Sequence, residues 1–149
     1  MKTLKINHAA VWVLVLIHQI IGGIWYSPFA FENKWVELTG KSMADFSNAT
    51  FMPYANSIVA AIILCYAIAW LFKKLEVTNF ITGMAYSFLF WFAFLFMELL
   101  TFNSFELRPY GLTFIDAGKS LLTFLICGFV LGMWKRYESP EAASETQSN

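Results

Sequence analysis

FITGMAYSFLFWFAFLFMELLTF, residues 80–102, is the stretch whose reading decides the fold, because it carries a single charge, Glu98. A bilayer core about 30 Å thick needs about 20 apolar residues at roughly 1.5 Å each, so this run is long enough to span. Three further runs share the property, at 8–25, 54–72 and 112–134, the last of them carrying Asp116 and Lys119. One such run could be a buried helix of a soluble protein, but four in 149 residues could not. Composition agrees: 58% of the residues are hydrophobic and 13% charged, where a soluble domain carries about 25% charge. The expected fold is all-α, an integral membrane four-helix bundle over residues 1–137, with a polar, disordered cytoplasmic tail over 138–149.

Charge and cysteine content exclude several classes. Ten basic residues balance ten acidic ones, which fits neither a nucleic-acid binder nor an acidic disordered chain. Cys65 and Cys127 are too few for a disulfide scaffold and lack metal-ligand spacing. His8 and His18 lie too far apart along one helix to share a metal. No glycine-rich phosphate loop, His-Glu-x-x-His or Gly-x-Ser-x-Gly is present. No catalytic residue, cofactor or metal is assigned.

The flanks set an orientation. Lys2, Lys5, Lys73, Lys74, Lys135 and Arg136 fall on one side of four spans, and Lys34, Lys41 and Arg108 on the other. The positive-inside bias puts both termini in the cytoplasm. The first run is not read as a cleaved signal peptide, because it exits through Trp25-Tyr26-Ser27-Pro28 and not through small residues. The short 73–79 loop predicts that the second and third spans are antiparallel neighbours. In the longer 26–53 loop, Ser27 reads as an N-cap with Pro28 in the first turn. Phe31, Trp35 and Leu38 recur at helical spacing opposite Glu32, Asn33 and Glu37, and Gly40 is a stop. Ser42 with Asp45 resembles a capping box. The predicted object is an amphipathic interfacial helix lying along the outer membrane face; a plain soluble hairpin over the bundle is the alternative. Asn48-Ala49-Thr50 matches a glycosylation sequon, to which no role is assigned.

Small and polar residues form stripes on each span, suited to helix association, while Phe88, Phe90, Phe92 and Phe96 suit lipid or neighbouring subunits. Gly128-x-x-x-Gly132 is a candidate helix-dimer face. With the N-terminus inside, His18, Gln19, Asn56, Glu98, Asp116 and Lys119 are expected to converge on one level in the outer leaflet half. Charges in lipid are expected to pair, Lys119 with Glu98 or with Asp116. Two readings stand for this cluster: a ligand pocket or proton path opening outward, or a paired polar plug that sets helix register.

Gly22-Gly23-Ile24-Trp25-Tyr26-Ser27-Pro28, followed by Phe31, Trp35 and Gly40, resembles the opening of a bacterial membrane-protein family called domain of unknown function 1761. Asp116-Ala117-Gly118 and Gly132-Met133-Trp134 are similar to that family's closing segment, so the likeness covers about 7–135. The resemblance implies four helices and a bacterial inner membrane, and it brings no activity. The family's usual residues at Asp116 and Lys119 are an asparagine and an aromatic, which implies that this charged pair is a local elaboration. Function is expected to be that of a non-enzymatic interaction or accessory subunit, as a homo-oligomer or with a membrane-protein partner. The alternative is a small-molecule binder or transporter component using the polar cluster. A membrane enzyme is the third possibility, since a carboxylate, a lysine and a histidine can do acid–base work.

Overall fold

The computed structural model describes residues 4–47 and 50–137. Asn48 and Ala49 of the sequon and the 138–149 tail lie outside the described residues. The chain forms helices α1 (His8–Trp25), α2 (Glu32–Thr39), α3 (Met43–Ser47), α4 (Met52–Lys74), α5 (Phe80–Phe90), α6 (Met97–Phe105) and α7 (Tyr110–Met133), with a π-helical segment Trp91–Phe96 joining α5 to α6. Helix α5, the π segment and α6 make one continuous span, Phe80–Phe105, so four helices are long and apolar enough to cross a membrane. The exterior is correspondingly apolar, with Trp12, Leu16, Ile20, Ile63, Phe94 and Phe114 all exposed. Lipid satisfies such a surface where water would not.

Helix α7 is the centre of the bundle. It packs along α1 and most extensively along α5, with α4 and α6 also against it. Its contact with α5 depends on glycine. A Cβ on Gly128 would sit 2.5 Å from the carbonyl oxygen of Gly83, and one on Gly132 would sit 2.6 Å from that of Asn79. Backbone meets backbone there. The Gly128/Gly132 face is therefore taken by α5 within the chain, which corrects its reading as a dimer face.

The expectation that the second and third spans pack as neighbours also needs correction. The 75–79 turn is tight: Glu76 takes φ +50°, and Val77 N–H donates to the Phe72 carbonyl at 3.0 Å. Yet α4 and the third span make little direct contact, because α4 packs mainly on α1 while the third span packs on α7. They diverge from the turn and leave an open groove between them. The bundle is closed on three sides and split on the fourth.

The first and last described segments meet on one side. Leu4–Lys5 pairs antiparallel with Arg136–Tyr137. Asn7 caps α1, accepting from Ala10 N–H at 3.3 Å, and its Nδ2 donates to the Trp134 carbonyl at 3.1 Å. Cys65 and Cys127, each fully buried, bring their sulfurs to 3.8 Å between α4 and α7.

Candidate functional site

The six polar candidates of the spans do not form one cluster: four of them sit in three hydrogen-bonded groups and two stand alone. The first, nearest the start of α7, is centred on Asp116. Its Oδ1 accepts from the Tyr26 hydroxyl at 2.7 Å and from Trp35 Nε1 at 3.0 Å. One residue back, the Ile115 carbonyl accepts from Trp25 Nε1 at 3.0 Å. The Trp25-Tyr26 exit of α1 and the loop helix α2 are thus bolted to α7 by three donors. Ring packing seals the joint: Tyr26 and Trp35 meet edge to face at 5.2 Å, and Trp25 lies 4.7 Å from Phe31. Burial and the hydrogen bond given to Asp116 push the Tyr26 hydroxyl well above the usual tyrosine range.

Local chemistry explains why the chain turns back here. Ser27 does not cap a new helix as predicted. Its hydroxyl donates to the Ile24 carbonyl at 2.7 Å, closing the end of α1, and α2 begins later, at Glu32, without a side-chain cap. Gly40, at φ +67°, ends α2 in the left-handed conformation that glycine adopts without strain. Leu38 reaches across to α7, where its Cδ1 would lie 3.1 Å from a Cβ on Gly111. The Ser42–Asp45 box is formed reciprocally. Ser42 N–H donates to Asp45 Oδ2 at 2.8 Å, and Asp45 N–H donates to Ser42 Oγ at 3.4 Å. The Ser42 N–H and the Ser42 hydroxyl, which donates to the same Oδ2 at 2.7 Å, hold the Asp45 carboxyl below its usual range.

The second group lies one turn deeper. Lys119 Nζ is 2.9 Å from His18 Nε2, so Lys119 pairs with neither Glu98 nor Asp116 as expected. With Lys119 charged, Nε2 accepts and the ring proton sits on Nδ1, which is buried without a partner. Counting helix rise from the middle of α7 puts Lys119 about 4 Å from the span's midpoint. An isolated lysine at that depth costs roughly 2.5–3.5 kcal/mol on insertion scales, so the histidine's lone pair is a material compensation. Nearby, Gln19 and Ser57 bond reciprocally between α1 and α4: Gln19 Nε2 to the Ser57 carbonyl at 3.3 Å, and Ser57 Oγ to Gln19 Oε1 at 3.1 Å.

Asn56 and Glu98 stand apart. Asn56 is exposed on α4, one residue away from the position that pairs. Glu98 is exposed and lines the groove between α4 and the third span. The salt bridges among the described residues are Lys34–Glu37 and Arg108–Glu106, and neither involves Glu98.

Three polar contacts were not anticipated from sequence. Asn103 Nδ2 donates to Thr113 Oγ1 at 2.9 Å, with both residues buried. Trp91 Nε1 donates to Ser120 Oγ at 2.9 Å, and the Ser120 hydroxyl in turn donates to the Ala117 carbonyl at 2.9 Å. The π segment makes these possible together. A straight α-helix turns about 100° per residue, so Gly83 and Asn103 would face about 160° apart. Six residues at π-helical pitch remove about 110°, leaving Asn103 within roughly 90° of the α7-facing stripe. No proline or glycine marks the segment, and the aromatic run conceals it.

No curated protein and no solved structure matches the chain. The family model described as "Protein of unknown function (DUF1761)" matches residues 9–132, and the chain belongs to that family.

Proposed function

We propose that the protein is a non-enzymatic, multi-pass component of the bacterial inner membrane with both termini in the cytoplasm, acting as an interaction or accessory subunit. One observation carries the reading: Asp116, Lys119 and His18 are each engaged by another side chain of the bundle. Asp116 takes two donors from Tyr26 and Trp35, and Lys119 takes the lone pair of His18. Groups so occupied set helix register and hold the loop helix against the bundle. A nucleophile or proton relay needs a group with an open valence toward a substrate. In this reading α2 lies at the outer membrane surface, where Trp25, Tyr26 and Trp35 form an aromatic rim at headgroup level beside the Ser27-Pro28 turn.

The lysine and arginine flanks support the orientation, and an exterior rich in exposed aromatics supports contact with lipid and with other membrane chains. The test is native mass spectrometry of the protein extracted gently from its own membrane, combined with reporter fusions at each terminus. The expected result is a discrete homo-oligomer or a stoichiometric membrane-protein partner, with both reporters cytoplasmic. A monomer with no protein partner, or a terminus reporting the outer side, would overturn it.

A further inference from the structure

We propose that the groove between α4 and the third span is a binding site for a lipophilic monocation, an aromatic or amphiphilic amine in its charged form, with Glu98 as the counter-ion. The groove has a volume of about 790 Å³, within the range of roughly 300–1,000 Å³ that houses drug-sized ligands. Leu64 and Ile68 line it from α4, Phe90 and Phe94 from the third span, and Phe124 of α7 from its floor. Glu98 is the ionisable residue in that lining. It has no hydrogen-bond or ion-pair partner among the described residues.

Three physical features select the ligand. A carboxylate standing in an apolar wall calls for a cation, and the wall itself supplies none. Phenylalanine faces attract a desolvated cation further, which favours a charge spread over or attached to an apolar body. Depth then separates a free ligand from a phospholipid. Glu98 lies about 8 Å from the midpoint of its span, inside a hydrocarbon core whose half-thickness is about 15 Å. A headgroup ammonium could reach it only by drawing its phosphate into hydrocarbon. Size argues against a partner helix, since a span about 10 Å wide and 30 Å long fills roughly three times this volume.

The groove opens sideways, so such a ligand enters from the bilayer without passing through the outer polar cluster. Nothing in this site depends on a protein partner.

The experiment is calorimetric titration of tetraphenylphosphonium into the purified protein in phosphatidylcholine nanodiscs, with the isosteric anion tetraphenylborate as the charge control. The expected result is saturable binding of one phosphonium per chain and no saturable binding of the borate. Glu98→Gln should weaken the phosphonium at least tenfold with the thermal midpoint retained. Should Glu98→Gln fail to fold, Ala67→Trp carries the test. Ala67 lines the groove from an exposed position on α4, so the indole fills the site, leaves the core and the carboxylate in place, and should weaken binding at least tenfold. Equal binding of cation and anion, or wild-type affinity in the folded variants, would overturn the site. Loss of a co-purifying membrane protein in Ala67→Trp, without phosphonium binding to the wild type, would assign the groove to a helix and overturn it as well. Phosphonium binding by a protein that proves monomeric would sink the accessory-subunit reading alone.

Discussion

Asp116 lies near the start of α7 and receives its donors from residues ninety and eighty-one positions away, Tyr26 and Trp35. What the site requires is an acceptor oxygen, and asparagine supplies one. Asp116→Asn is therefore expected to cost under about 1 kcal/mol. Asp116→Leu, which strands the half-buried hydroxyl and indole N–H, should cost about 1–3 kcal/mol. Thermal unfolding in detergent separates the two, and equal losses would show that the charge, not the acceptor, holds the loop. Asp45 makes a second prediction at this scale. Its carboxyl is held low by the Ser42 backbone and hydroxyl, so its contribution to α3 is present above the unfolded aspartate value and is lost as pH falls through the folded one. An NMR titration should place Asp45 below the usual aspartate range, and Ser42→Ala should move it back up. A normal titration in the parent protein would remove the box.

Residue type and spacing made the Asp45 box legible, because a capping box is closed within four residues. Lys119 was not legible in the same way. Sequence supplied the need for a partner, but Glu98 and Asp116 were the obvious candidates by charge. The partner turned out to be a neutral acceptor, His18, placed by the way α1 lies against α7.

The elements differ in how they tolerate change. Gly23 has nothing within 4 Å of its missing Cβ, whereas a Cβ on Gly128 would press on the Gly83 backbone. Gly23→Ala should be neutral or slightly stabilising, and Gly128→Ala should cost about 1–3 kcal/mol by forcing α5 from α7. Denaturation of the two variants side by side checks this, and parity would mean that the glycine contact is not a packing determinant. The π segment is tested by deleting Ala93, an exposed residue within it. Removing one residue should restore α-helical pitch, turn α6 by about 100° and break the Asn103–Thr113 bond. The expected reading is a lower thermal midpoint for the deletion than for Ala93→Leu; the reverse order would deny the segment its role.

At the scale of the whole molecule, the split on the fourth side governs access. With Cys65 and Cys127 replaced by serine, a cysteine at the exposed Ala67 should react with a membrane-permeant maleimide at least tenfold faster than one at the fully buried Ala61. A bundle closed by packing of α4 on the third span would protect both.

The sequence by itself determined four spans, the class of solvent that covers them, the loop helix ending at Gly40 and the family. Each of these follows from local apolar length, caps and motif, and each is set by residues close together in the chain. Only the tertiary structure decided that α7 is central, that the second and third spans part, and that Glu98 faces a groove while Asp116 faces the loop. Those outcomes depend on which stripes reach backbone contact first. Gly83 and Gly128 win that competition for α5. In lipid, where apolar surface alone does not draw helices together, the closest backbone approach selects the neighbour.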